Sequence, residues 1–453
     1  MAVWSKIKAS DLIEPNRFDS EYFKPEYLKI RNKLEGYSPL KYFIKRITHP
    51  GEFKRIYSYK GITVIRAQNV RPLSIELTNN EIFVSPERVK NLTQNIVENG
   101  DILITRTGAN FGQATLYTGE RENAIVTSHT FILKINDKID SAYLALYLNT
   151  HYGRKLLDQG MYGSSQPEIA PKAIKDIPIP RFSIALEKKV SDSVRKSYKL
   201  RKESLLLYQR ATQLLEQELE LDKIQFKKQK SFAANFSEVV TNNRSDADYY
   251  QIKYRQLESH LNSIERKFLG SICTFQKGFE VGSALYAAEG PLFIRISNLT
   301  KDGFSIGNSD KYITNDTYNL FKVNKPRIGD ILLTKDGTIG TCYVVDEEIE
   351  GIISGGILKL NMIDENIPEE YLALVINSKI CQMQAQRDCS GALILHWKAE
   401  NIRKLKIPIL DKKIMLNLSE LVIQSKKARK ESIQLLEQAK TEMENLIEQA
   451  ANK

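Results

Sequence analysis

The first half of the chain has no cysteine; all four, Cys273, Cys342, Cys381 and Cys389, fall in the second. The first half manages the same design without any, so the thiols are expected free and buried rather than paired in a disulfide framework. Cys381 and Cys389 also lack zinc-knuckle spacing. No stretch reaches the roughly 18 consecutive apolar residues of a membrane span. The opening MAVWSKIKASDLIEP has no apolar signal core, so a cytoplasmic location is expected. Catalytic signatures are missing as well. There is no Gly-x-x-x-x-Gly-Lys-Ser/Thr phosphate loop, no Gly-x-Gly-x-x-Gly turn and no Asn/Asp-Pro-Pro-Tyr/Phe segment suited to an amino-methyltransferase. The five histidines, His49, His129, His151, His260 and His396, are scattered and do not recur. No catalytic residue, metal site or bound cofactor is therefore expected in this chain.

What the chain does have is positive charge. Lys and Arg number 66 against 55 Asp and Glu, a net charge of +11, with a sequence pI near 9.1. This balance favours a polyanionic partner, nucleic acid or an anionic membrane surface.

The 453 residues are also written twice. FDSEYFKPEYLK at Phe18 returns as SDADYYQIKYRQ at Ser245, GDILITRTG at Gly100 as GDILLTKDG at Gly329, and AYLALYLN at Ala142 as EYLALVIN at Glu370. IPIP at Ile177 returns as IPIL at Ile407, and RKES at Arg201 as RKES at Arg429. The offset stays near about 228 residues, far beyond a solenoid repeat of roughly 20–50. Each copy is thus a full domain with a trailing segment, and the function needs two similar but unequal halves.

Within a copy, short β-branched runs (GITVIRAQNV, EIFVSPERV, GDILITRTG, TFILKIN) separated by Gly, Asn and Pro predict strands of a twisted sheet or partly closed barrel. A short amphipathic helix is expected within Phe18–Leu34 and another helix over Ser141–Gln159, followed by the extended KDIPIPRF. Gly100-Asp101 and Gly329-Asp330 precede strands, where such pairs make turns.

From about Ile184 to Lys228 the composition changes to Leu, Glu, Lys and Gln with almost no Gly or Pro. Leu186, Val190, Ser193, Ser197, Leu200, Ser204, Leu207, Ala211 and Leu214 step by alternating fours and threes, a heptad seam. Ile414, Leu418, Leu421, Ser425, Ala428, Ser432, Leu435, Ala439 and Glu442 repeat it, with only Leu214 replaced by a charged residue. Each helix wants an apolar partner and the other is the nearest candidate. The expected helix-pairing residues are Leu200, Leu207, Ala211, Leu214, Ala428, Leu435 and Ala439. The fold class is therefore α+β: two tandem mixed α/β domains, each followed by a long helix, the helices pairing as an antiparallel coiled coil. The boundaries are a first domain at 1–183, a helix at 184–230, a second domain at 231–411 and a second helix at 412–453.

Binding chemistry clusters after the strands. Arg66, Gln68 and Asn69 align with Arg295, Ser297 and Asn298; Arg106, Thr107 and Asn110 align with the loop of Lys335 and Thr338. Arg and Lys pair with guanine edges or phosphates, Asn and Gln with adenine. The loop holding Ser164, Ser165 and Gln166 has a diverged counterpart with Ser390, His396 and Lys398, as two different specificities would need. Lys223, Lys227, Lys228 and Lys230 follow the first long helix, where they solvate a turn or meet phosphates.

The tandem repeat, the two matched helices, the GDILITRTG and GDILLTKDG blocks and the IPIP and IPIL strands together resemble the specificity subunit of a type I restriction-modification enzyme, over essentially the full chain. The resemblance implies that each half holds a target recognition domain reading one part of a split, asymmetric site in double-stranded DNA. It implies that the paired helices set the spacing and dock two modification subunits, which carry S-adenosylmethionine and methylate adenine, and that restriction/translocase subunits join them. The specificity subunit itself performs no chemistry and needs no membrane. Two other readings fit parts of the pattern. One is the recognition part of a related fused restriction-methylation enzyme, or a standalone nuclease. The other is a coiled-coil scaffold that binds only protein.

Overall fold

The computed structural model describes all residues except 1–3, 9–11, 13–16, 78–80, 109, 164–166, 227–230, 308–309, 392–394 and 453. The chain divides into two compact units, one of residues 1–202 with 429–453 and one of residues 203–428.

In the first unit, β1 (Ile44–Thr48), β9 (Thr130–Ile135), β6 (Ile102–Thr105) and β7 (Ala114–Leu116) form an antiparallel sheet in that order. A second sheet orders β5 (Phe83–Val84), β2 (Ile62–Ile65) and β8 (Ala124–Val126), with β2 and β8 parallel. β3 (Val70–Arg71) pairs with β4 (Ser74–Ile75), and β10 (Met161–Tyr162) with β11 (Glu168–Ile169). Every residue of β6, β7 and β8 is buried, so these strands read as continuous apolar runs rather than alternating ones.

The second unit repeats this plan. β13 (Cys273–Lys277), β21 (Ile357–Met362), β18 (Ile331–Thr334) and β19 (Cys342–Val344) take the places of β1, β9, β6 and β7. β17 (Tyr312–Ile313), β14 (Tyr286–Ile294) and β20 (Gly351–Ile353) form the three-stranded sheet, again with one parallel pair. β15 (Leu299–Thr300) pairs with β16 (Gly303–Phe304), and β12 (Arg266–Phe268) with β22 (Lys406–Pro408). The sequence repeat is thus a repeat of topology.

The Gly-Asp pairs are turns with a stated physical cause. Gly100 and Gly329 sit at φ +96° and +89°, the left-handed region that glycine alone enters freely. Asp101 and Asp330 then accept backbone N–H bonds from Glu98 and Arg327, both at 2.8 Å. The helix expected over Ser141–Gln159 is two helices, Ser141–Tyr147 and His151–Gln159. Thr150 breaks it by N-capping the second, accepting from Gly153 N at 3.2 Å. The helix of the leading segment is confined to Pro25–Lys33. A short helix, Pro171–Lys175, leads into KDIPIPRF, which is extended as expected, with Pro178 bridging Pro39.

The long helices are Ile184–Glu218 and Lys412–Ala451. In the first unit Lys189 pairs with Glu442 at 2.5 Å and Lys196 with Glu431 at 2.8 Å, so one number falls as the other rises and the helices run antiparallel. Ser197 and Ser432 each donate to the other's backbone carbonyl at 2.9 Å. In the second unit Ser204 and Ser425 meet with their hydroxyls 3.1 Å apart. Small residues here let two backbones come close, and each buried hydroxyl finds a partner. Val190, Ser197, Ser204 and Ala211 are buried, while Leu200, Leu207, Leu214 and Leu435 are half-buried and Ala428 and Ala439 buried.

The helices also complete the domain cores. Val190, Val194 and Tyr198 of the first helix and Ala439, Met443 and Ile447 of the second belong to the core of the first unit. Ala211, Leu215 and Leu219, with Met415, Leu418, Leu421 and Val422, belong to that of the second. The buried face is therefore wider than a two-position seam. The first helix ends sooner than the composition indicates, with Glu220 in the left-handed region and a turn at Leu221–Lys223.

Candidate functional site

In the first unit β2, β6 and β8 end, and β9 begins, at one edge. Thr127 N donates to Ile65 O at 3.1 Å and Arg106 N to His129 O at 2.8 Å, which ties the three loops leaving that edge together. The corresponding bonds of the second unit are Ser354 N to Ile294 O at 2.8 Å and Lys335 N to Gly356 O at 2.9 Å.

Two of the expected base-reading residues have a different task. Asn69 and Asn298 are buried at 3% and 1% exposure. Asn69 accepts from Arg66 N at 3.0 Å and donates to Glu76 O at 2.7 Å; Asn298 accepts from Arg295 N at 3.0 Å and donates to Ser305 O at 3.0 Å. Their amides are spent on their own turns, which corrects the expectation that they face a base. They recur because the turn recurs. Gln68 and Ser297, one residue earlier, are exposed on the same turns. Arg66 and Arg295 cap them and are half-buried.

Arg106 leaves β6 and pairs with Glu168 at 3.5 Å. Its Nε is buried with no hydrogen-bond partner among the described residues, so part of the guanidinium is unsatisfied. Thr107 is buried and bonds His129 Nδ1 at 2.8 Å, while Arg55 reaches the other ring nitrogen at 3.1 Å. Asn110 donates to Ala67 O at 3.4 Å, joining this loop to the Arg66 turn. Glu52 is exposed and accepts from the Ser128 hydroxyl, and that bond, with Arg55 nearby, holds its carboxyl below the usual range.

In the second unit Lys335 stands for Arg106 and pairs with Asp336. His396 Nδ1 lies 2.8 Å from Asp336. Burial raises the Asp336 carboxyl, but its bonds to Lys335 and His396 outweigh that and hold it below the ordinary value. Thr338, Ser390, His396 and Lys398 are exposed, with Trp397 between the last two buried in the core. A side chain at Gly355 would displace the Glu280 carboxylate, the counterpart of Glu52.

Each edge is completed by a hairpin. β11 bridges the Arg106 loop at Thr107 and Glu168, and Ile169 N donates to Arg106 O at 3.2 Å. The second unit has the same bridge between Asp336 and His396, with Trp397 N donating to Lys335 O at 2.8 Å. Ser164, Ser165 and Gln166 lie outside the described residues, as do Lys227, Lys228 and Lys230. Lys223 pairs with Glu220 at 2.6 Å in the turn after the helix.

Residues 54–181 match the family model of the type I restriction modification DNA specificity domain. This segment is similar to that family, over a little more than a quarter of the chain. It spans β2 through β11, and so includes Arg55, Arg66, Arg106 and the hairpin of the first unit. No curated protein sequence matches the chain. Among solved structures, the type I restriction-modification S subunit from M. genitalium is similar at 12% identity, covering 92% of this chain and 96% of that one, with a TM-score of 0.45. The HsdS subunit from Thermoanaerobacter tengcongensis is similar at 10% identity over 92% and 95%, with a TM-score of 0.28. A type I R-M system structure concerned with complex assembly and conformational transition is similar at 11% identity over 92% and 97%, with a TM-score of 0.29.

Glu52, Arg55, His129, Glu168 and Asp336 are not among the binding residues expected from the sequence. Glu52 and Glu280 carry a usable signal, since they recur at the repeat offset. Their neighbours diverge, which hides the match. His129 carries none, because Gly356 occupies the corresponding place.

Proposed function

We propose that this chain is the sequence-specific DNA-recognition subunit of a type I restriction-modification complex. The observation that carries the reading is the family match over residues 54–181, together with the recurrence of the same strand order in the second unit. Each unit presents basic and polar side chains at one edge, where phosphate contacts position the protein and base contacts specify the sequence. The two edges differ at equivalent places: Arg106 against Lys335, Thr107 against Asp336, Glu168 against His396. Unequal edges read unequal half-sites, so the site is bipartite and asymmetric. The long helices act as the spacer, and half-sites about 34 Å apart, one turn of DNA, put both on one side of the duplex. Two modification subunits carrying S-adenosylmethionine and the restriction/translocase subunits supply the chemistry, in the cytoplasm. No helix among the described residues is long and apolar enough to cross a membrane.

Modification sequencing of the source genome, with and without this gene, tests the reading. A split, asymmetric methyl-adenine motif that vanishes on deletion is expected; a methylome indifferent to the gene would sink the proposal. At residue level, Arg106→Ala should weaken discrimination at one half-site by about 1–3 kcal/mol, roughly 5- to 150-fold, and Lys335→Ala at the other. Competition binding with half-site-scrambled duplexes reads this. Equal losses at both half-sites from either variant would refute the division of labour. Ser141–Tyr147 is core, with Tyr143 and Tyr147 donating to Pro180 O and Pro178 O at 2.8 and 2.7 Å, so only the hairpin can be swapped without loss of fold.

A further inference from the structure

The opening block of each copy has no role so far, although it is one of the segments that recur. Its structure is the same in both units. Arg17 donates to Asp19 through Nε at 2.6 Å and Nη2 at 3.0 Å, and the same Nη2 donates to Met161 O at 2.7 Å. Arg244 donates to Asp246 at 2.6 and 3.1 Å and to Cys389 O at 3.3 Å. Each aspartate also accepts the backbone N–H of a tyrosine, Tyr22 or Tyr249, at 3.1 Å. Each arginine lies 5.0 Å from the centroid of that tyrosine's ring. The next residue, Phe23 or Tyr250, is buried and anchors the segment. The guanidinium-to-Asp bonds hold both aspartates below their ordinary range against partial burial.

The carbonyls these arginines hold are equivalent and specific. Met161 O and Cys389 O lie at the foot of the first strand of each hairpin, or immediately before it. The second strand of each hairpin is bridged to the loop that carries Arg106 or Lys335. The hairpin is thus gripped at one foot by the opening block and bound at the other to the strand-edge loop. We infer that Arg17–Asp19 and Arg244–Asp246 are positioning residues for specificity: each fixes the hairpin of its own unit, and through it the geometry of the adjoining strand-edge loop. A fixed rotamer and a bidentate pair are what precise placement needs, because a contact misplaced by about an ångström loses its value. The inference rests on the DNA-recognition reading for its consequence, but not for the mechanical link.

Two readouts on the purified full chain keep these separate. Hydrogen–deuterium exchange of Arg17→Ala should show faster exchange in the 161–169 hairpin with 389–397 unchanged; Arg244→Ala should do the reverse. Arg17→Lys should restore little, since a point charge cannot replace the forked contact. Selection from random duplexes should then show discrimination falling about 10-fold at one half-site per variant, with the salt dependence of binding unchanged. Unaltered hairpin exchange overturns the clamp, whatever the DNA result. Faster exchange with intact discrimination, in a wild-type chain that selects a sequence, overturns its role in specificity. A wild-type chain that selects no sequence overturns the recognition reading and the specificity role together, while exchange still decides the clamp.

Discussion

Ending the chain after Leu436 should unfold the first unit and leave the second folded. The residues removed include Met443 and Ile447, which are fully buried in the first unit's core beside Ala439. Losing either large side chain alone costs about 2–5 kcal/mol once the cavity it leaves is counted. The same segment supplies Glu448, which pairs with Lys33 at 2.5 Å and accepts from the Tyr152 hydroxyl, and Glu444, which accepts from His151 N at 2.6 Å. Removing all of these together rivals the roughly 5–15 kcal/mol by which a domain is stable at all. Hydrogen exchange is the measurement: protection should vanish in β6 and β9 and persist in β18 and β21. Retained protection in β6 would show that the helix end is dispensable. Met443→Ala is the milder version, expected to lower first-unit stability by about 2–5 kcal/mol.

Glu370→Ala should strongly destabilise the second unit. Glu370 and Lys426 form an ion pair at 2.9 Å with side chains only 13% and 10% exposed, and Lys426 also donates to Val344 O at 2.7 Å. Burial pushes the Glu370 carboxyl above its ordinary value, with Lys426 opposing. Removing the acid leaves an uncompensated ammonium in the core, at a cost of about 3–5 kcal/mol. Replacing both, as Glu370→Leu with Lys426→Met, removes the desolvation problem along with the pair and should recover most of that loss. The first unit already does without the pair, having Ala142 and Tyr198 in these places, where the Tyr198 hydroxyl lies 3.0 Å from Thr115 Oγ and accepts from Leu116 N at 3.2 Å. Chemical unfolding followed by second-unit exchange distinguishes the variants. A double variant no better than the single would show that the pair is more than a satisfied buried charge.

The strands, the turns at Gly100 and Gly329 and the serine-lined helix pair were legible because their causes are local. Runs of β-branched residues, a left-handed glycine and a heptad step announce themselves within a short window. The candidate site was legible only in outline. Arg66 with Asn69 and Arg106 with Thr107 stood out by type and repetition, but type could not separate a side chain that closes its own turn from one that faces outward. Asn69 and Gln68 are adjacent in the same motif, yet the Asn69 amide is consumed inside the turn while Gln68 is exposed. His129 and Glu168 became visible only when the strand edge brought them beside Arg106.

By itself, then, the sequence determined that there are two copies of one framework, each with a long helix whose serines meet an antiparallel partner, and a basic character suited to a polyanion. Tertiary structure decided the rest, because the deciding contacts join residues far apart in the chain. Arg17 meets Met161 O across 144 positions, and His151 meets Glu444 across 293. No local pattern encodes such pairings. They exist only once apolar burial has brought the strand edge, the hairpin and the helix ends to the same place.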